Sequence, residues 1–283
     1  MARQRLGQHF LADEGWQEKI ARAIRVSLHG MQRSAVADQP PYCWVEIGAG
    51  HGEMTVHLLR NGAPVIAVEL DGKLLPGLNE LAANHPTLTI FPGDVLETDL
   101  RKLAAGRRLK IYGNLPYYIT SPILHHFFSF ADIIDEIHIV LQLEVAERLA
   151  AEPGTKPYGY LSVATQFYAR PEIELLLPPG AFRPPPEVDS ALVTMQLPGA
   201  GANLCLPDTE AFLEFVKICF SQKRKTLPNN LKALLPPARS REILQQLNLR
   251  EDARAEQLSV AELAALYQAI SSERKAAGLD SRT

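Results

Sequence analysis

Short apolar runs ending in glycine, acid or amide residues recur along the first half of the chain, and helix-like stretches follow several of them. Residues 43–47 lead into Gly48-Ala49-Gly50-His51-Gly52 and a helical pattern to Arg60. Residues 65–68 end at Glu69, and residues 88–91 end at Pro92-Gly93-Asp94-Val95. Leu109-Lys110-Ile111-Tyr112 ends at Gly113-Asn114-Leu115-Pro116-Tyr117-Tyr118. Apolar runs of this length bounded by turn residues predict buried strands, and their alternation with helices predicts a doubly wound α/β sheet. Residues 136–143 give a fifth strand and 144–151 a helix. Residues 161–168, rich in Val, Thr, Phe and Tyr, and residues 191–197 bring the expected sheet to seven strands.

Helical spacing marks both ends of the chain. Trp16, Ile20, Ala23 and Ile24 predict a helix over residues 14–28 with Asp13 as N-cap. Phe10 and Leu11 ahead of it either staple that helix to the core or form a lid over a ligand; the sequence leaves both readings open. Thr120 or Ser121 caps a further helix with Pro122 in its first turn. Residues 199–206 read as a linker, after which Phe212, Phe215, Val216, Cys219 and Phe220 share one helical face. Residues 240–249 and 258–270 are also helix-like, and the polar stretch 271–283 is expected to fray. The expected division is a first domain over residues 1–200 and a small all-helical domain over 201–283.

Composition narrows the class. A chain of 283 residues with 46% hydrophobic content can bury one large core and a smaller one. Three cysteines, Cys43, Cys205 and Cys219, lack metal-ligand spacing and suit a reducing cytoplasm. The N-terminal segment forms no signal peptide and no stretch is long enough to span a bilayer, so a soluble protein is expected, with no metal site and no obligate protein partner. A net charge of −3 argues against a nucleic-acid binder. Locally the sign reverses: Lys217, Lys223, Arg224, Lys225, Lys232, Arg239 and Arg241 occur with no acid between residues 217 and 241, a segment suited to RNA phosphates or simply to a solvated face.

The strand tips carry the candidate chemistry. Glu53 stands where a dinucleotide fingerprint needs its third glycine, which weakens a NAD reading. A glycine turn without phosphate demands suits S-adenosylmethionine, with Glu46 bracing its amino-acid end. Glu69 is placed to accept from both ribose hydroxyls, and Asp94 from an adenine amine while the following backbone amide reads a ring nitrogen. Asn114 and a carbonyl at Pro116 can each accept one hydrogen of a planar base's exocyclic amine, with Tyr117 against the ring; an ordinary turn is the plainer alternative. Phe182, in Pro178-Pro179-Gly180-Ala181-Phe182-Arg183-Pro184-Pro185-Pro186, is either a core residue or a ring held at the site mouth by its prolines.

Together these residues resemble one family. LGQHFL (Leu6 onward), VEIGAGHGEMT (Val45 onward), the Glu69 tip, GDV (Gly93 onward), NLPYYIT (Asn114 onward), QLEVAERL (Gln142 onward), YGYLSV (Tyr158 onward), AFRPPPEVDSA (Ala181 onward) and SQKRKTL (Ser221 onward) are similar to the small-subunit ribosomal RNA adenine dimethyltransferases, the kasugamycin-sensitivity methyltransferases. The resemblance implies a Rossmann-like class I methyltransferase domain with a seven-stranded sheet and a small helical domain. It implies dimethylation of two adjacent adenosines near the 3′ end of 16S rRNA, within an immature 30S particle. It also implies cofactor contacts from His9, Leu11, Gly48, Glu69, Asp94 and Asn114, and adenine contacts from Asn114, Pro116, Tyr117 and Phe182; Gly50 of the glycine turn and Val95 after Asp94 join the expected cofactor set, and Lys223, Arg224 and Lys225 of the basic segment are the expected RNA contacts. His9, Leu143 and Pro228 depart from the family pattern; Pro228 bears on the local helix and on the RNA footprint. A large-subunit rRNA adenine methyltransferase of the macrolide-resistance type, a DNA adenine methyltransferase and a non-catalytic ribosome-assembly factor are the alternatives.

Overall fold

The computed structural model describes residues 9–32, 42–60, 62–116 and 119–276. In chain order the elements are β1 (Phe10–Leu11), α1 (Glu14–Gln32), β2 (Tyr42–Ile47), α2 (Thr55–Leu59), β3 (Val65–Glu69), α3 (Leu75–Ala83), β4 (Leu88–Pro92), α4 (Leu100–Ala104), β5 (Arg108–Asn114), α5 (Thr120–Phe128), β6 (Ile134–Gln142) and α6 (Leu143–Leu149). There follow α7 (Tyr160–Tyr168), β7 (Arg170–Leu177), β8 (Phe182–Arg183), β9 (Ser190–Gln196), α8 (Thr209–Cys219), α9 (Leu227–Asn230), α10 (Pro237–Gln246) and α11 (Val260–Ala276).

Seven strands form one sheet in the order β4-β3-β2-β5-β6-β9-β7, and β1 pairs antiparallel with β8 in a separate ribbon. β2 is parallel to both β3 and β5, β3 to β4, and β5 to β6, whereas β9 runs antiparallel to β6. From β2 the chain builds outward through β3 and β4, then returns to place β5 on the other side of β2. That reversal opens a crevice at the carboxyl ends of β2 and β5, where α/β sheets hold ligands. Residues such as Val45, Ile111 and Ile139 are fully buried, as expected of central parallel strands covered on both faces.

The sheet has the expected number of strands but not the expected members. Residues 160–168 form a helix, not a strand, and the seventh strand is β7. Val163, Ala164 and Phe167 of α7 join a core with Phe212, Phe215, Val216 and Leu263, so packing overrides the strand propensity of the β-branched and aromatic residues. β7 was hidden by Pro171, which removes a ladder donor; it is accommodated near the start of a strand at the sheet edge.

Two compact units result: Met1–Ala146 with Pro171–Leu197, and Glu147–Arg170 with Pro198–Thr283. A single division near residue 200 therefore misplaces the segment carrying α7. The second unit is built around aromatic contacts, with Phe212 5.3 Å from Phe167 and 5.7 Å from Tyr267 between ring centroids. Asp208 caps α8, its carboxylate accepting from Ala211 N at 2.9 Å. In the first unit Asp13 caps α1 as expected, accepting from Trp16 N at 3.0 Å. Among the described residues no helix is long and apolar enough to cross a membrane.

Candidate active site

The glycine turn after β2 has left-handed backbone at Gly48, Gly50 and Gly52, with φ of +68°, +63° and +89°. Side chains rarely tolerate this region, and at Gly50 a Cβ would also lie 3.2 Å from the Phe10 ring. Glu69 at the tip of β3 braces the turn: its Oε2 accepts from Gly50 N at 2.9 Å and its Oε1 from Asp71 N at 2.8 Å. Each oxygen thus has one lone pair committed to backbone.

A pocket opens beside this turn, lined by Phe10, Leu11, Glu46, Gly48, Ala49, Gly50, Glu53, Met54, Tyr112 and Asn114. Five of the expected cofactor residues, Leu11, Glu46, Gly48, Gly50 and Asn114, come together there, whereas Glu69, Asp94 and Val95 stand outside its lining. Asp94 caps a short turn, its Oδ1 accepting from Leu96 N at 2.9 Å. Val95 is buried.

Glu46 is 2% exposed, and its Oε2 accepts the Thr55 hydroxyl at 2.5 Å. Burial pushes its carboxyl up to about 8, the Thr55 hydrogen bond working against this and the neighbouring Glu53 and Glu69 adding to it. No lysine or arginine lines the pocket, so its charged groups are acids. A cationic ligand fits such a wall.

Asn114 ends β5 at the rim. Its Nδ2 donates to the His9 carbonyl at 2.8 Å. A carbonyl can only accept, so the amide is oriented with its nitrogen toward His9 and its oxygen as the acceptor end. Pro116 follows, its carbonyl accepting from Ile119 N at 3.2 Å as α5 begins. Tyr117 lies outside the described residues. The His9 side chain does not follow its backbone toward the pocket lining: its Nδ1 donates to the Pro184 carbonyl at 2.7 Å.

Of the two readings left open by the sequence, the stapling of α1 by Phe10 and Leu11 is seen directly. They pair with Arg183 and Phe182, and the Leu11 carbonyl accepts from Gln17 Nε2 at 2.7 Å, stapling α1. They also line the pocket, with the Phe10 ring 5.0 Å from that of His51. Phe182, by contrast, is not held at an open mouth. It is fully buried in one cluster with Leu11, Ile20, Leu177 and Leu192, on a strand that pairs with β1.

In the second unit the basic segment is smaller than its sequence suggests. Lys217 pairs with Glu214, and Arg239 with Glu242 and Glu273, all acids outside the segment's own span. Lys223 Nζ donates to the Lys156 carbonyl at 2.6 Å and lies 3.8 Å from Glu256. Arg224, Lys225, Lys232 and Arg241 are exposed. Pro228 falls in the first turn of α9, where a missing N–H is tolerated, so it does not break the local helix.

The strand order, the glycine turn at the switch point and the acid-walled pocket define a Rossmann-like α/β fold of the class I methyltransferase type. The comparisons narrow this further. Residues 1–272 match the family described as ribosomal RNA adenine dimethylase, and the chain belongs to that family. It is 41% identical over 263 residues to the ribosomal RNA small subunit methyltransferase A of Xanthomonas axonopodis pv. citri, covering 92% of this chain and 93% of that one. The protein of the same name from Xanthomonas campestris pv. campestris is 40% identical over 261 residues, with the same coverage. Among solved structures, a dimethyladenosine transferase from Plasmodium falciparum superposes with a TM-score of 0.75 at 22% identity, covering 95% of this chain and 98% of that one. The 23S rRNA methyltransferase ErmE gives 0.67 at 23% identity, covering 93% and 99%. At these identities the two structures bear on fold alone.

Sequence reasoning missed Ala49, Glu53 and Met54 of the pocket lining, and also Tyr112. For Tyr112 the available signal was its position two residues before Asn114, on the same face of one strand.

Proposed function

We propose that this protein dimethylates the exocyclic amines of two adjacent adenosines near the 3′ end of small-subunit rRNA, acting on an immature 30S particle in the cytoplasm. The observation that carries the reading is the Asn114–His9 hydrogen bond at the pocket rim, which leaves an amide oxygen as acceptor beside the cofactor pocket. Family membership and the relatives at about 40% identity support the choice of small-subunit rRNA over large-subunit rRNA or DNA.

S-adenosylmethionine supplies an electrophilic methyl group bound to a sulfonium. The chain's own residues make the amine a nucleophile. An adenine amine is poorly nucleophilic because its lone pair is delocalised into the ring. Asn114 Oδ1 takes one amine hydrogen and the second lone pair of the Pro116 carbonyl takes the other, which favours a pyramidal nitrogen with its lone pair directed along the transfer axis. Neither group is basic enough to remove a proton; the proton leaves to solvent once the nitrogen has become cationic. Tyr117 supports the ring, while Phe182 holds the strap that carries His9. Arg224 and Lys225 meet RNA phosphates. The target base has to leave its stack to reach the pocket, so RNA structure governs substrate choice.

The test offers labelled S-adenosylmethionine together with immature small subunits, large-subunit RNA and DNA, and maps the modified base. Two adjacent dimethyladenosines in small-subunit rRNA are expected. Label confined to large-subunit RNA or DNA, or none in any substrate, overturns the proposal.

A further inference from the structure

Tyr112 is 1% exposed, lines the pocket, and has a hydroxyl with no hydrogen-bond partner among the described residues. A buried hydroxyl left unpaired destabilises a fold, so its presence calls for an explanation. Strand register sets it between Glu46 on β2 and His138 on β6. Both neighbours are otherwise engaged. Glu46 takes the Thr55 hydroxyl, and the two ring nitrogens of His138 lie 3.0 Å from Thr194 Oγ1 and Glu136 Oε2. Glu53 accepts from His51 N. Six further buried polar atoms among the described residues, on Trp44, Thr120, Glu136, Thr165, Asn230 and Ser240, also lack partners, but none of these residues lines the pocket.

The position of Tyr112 indicates which part of a ligand it meets. Glu69 and Asp94, the candidates for ribose and adenine, stand at the tips of β3 and β4, on the other side of β2. The Tyr112 side of the crevice is left for the amino-acid end of the cofactor. The acids nearest that side are Glu46 and Glu53, with no lysine or arginine in the lining, which suits a cation. The sulfonium has no N–H to give; the α-ammonium has three.

We propose that Tyr112 Oη is a cofactor-binding group that accepts a hydrogen bond from the α-ammonium of S-adenosylmethionine, with the Glu46 carboxyl beside it as a second acceptor. This rests on the reading of the pocket as the cofactor site. Burial first, and then Glu46 and Glu53, raise the phenol's pKa, so the group stays a neutral hydroxyl whose oxygen can accept from the ammonium. The unpaired hydroxyl of the free protein is thus an acceptor kept ready for ligand.

The discriminating variant is Tyr112→Phe, which removes one oxygen and keeps the ring. Dissociation constants for S-adenosylhomocysteine and for its analogue lacking the α-amino group are measured by calorimetry, alongside the melting temperature of the free protein. The variant is expected to bind S-adenosylhomocysteine about tenfold more weakly than wild type. The deaminated analogue is expected to bind both proteins alike. The free variant should melt at or above the wild-type temperature, because the unpaired hydroxyl is gone. Equal affinity of the two proteins for S-adenosylhomocysteine overturns the assignment, as does an equal loss with the deaminated analogue. A lower melting temperature with equal losses for both ligands identifies a merely structural hydroxyl. Failure of wild type to bind S-adenosylhomocysteine at all overturns the cofactor reading itself, a separate result.

Discussion

The Asn114 side chain donates to the backbone carbonyl of His9 at 2.8 Å, across 105 positions of sequence. On the proposed function, the strap ahead of α1 thereby fixes which amide atom meets the substrate. Asn114→Ala removes the acceptor and is expected to abolish methyl transfer with RNA affinity nearly unchanged. Asn114→Asp keeps an acceptor but sets a carboxylate against the His9 carbonyl. Its turnover is expected to fall by about 100-fold or more. Single-turnover methylation with RNA binding measured in parallel checks both, and normal turnover by Asn114→Ala would remove the residue from the catalytic role.

Glu46 links pH to stability. Its carboxyl titrates near 8 in the folded protein and near 4.5 without the fold. Below that range both states hold the proton. Between these values the unfolded chain gives it up while the folded one retains it, so the free protein loses stability as pH rises from about 5 to 8. The total effect is on the order of 4 kcal/mol. Glu46→Gln is expected to flatten the melting temperature across this window, as thermal unfolding at a series of pH values will show; an unchanged slope refutes the linkage.

Phe182→Ala is expected to lower stability by about 3–5 kcal/mol, since it empties a fully buried aromatic site. Phe182→Leu should lose less. Denaturant unfolding measures both. If the ring served only to stack on a base, stability would hold and turnover alone would fall.

Much of this organisation was readable from local pattern. The four strand tips at Gly48, Glu69, Asp94 and Asn114 follow from apolar runs ending in turn residues, because central parallel strands carry little else. Residues whose role depends on distant partners were harder to read. α7 has the composition of a strand and is held as a helix by Phe212 and its neighbours in the second unit. Phe182 faces inward because β8 pairs with β1, a contact that local pattern does not encode. Tyr112 looks like one more apolar strand residue until register sets it beside Glu46. The basic segment lost part of its free charge to Glu214, Glu242, Glu256 and Glu273, which lie beyond its ends.

The pairing of β1 with β8 also orders events in time. His9 and Pro184 are hydrogen-bonded across 175 positions, so the strap over the pocket cannot close until the proline-rich segment has left the ribosome making the chain. Until then the glycine turn and Asn114 lack the strand that joins them. A nascent chain therefore carries an unfinished pocket until the segment around Pro184 has emerged.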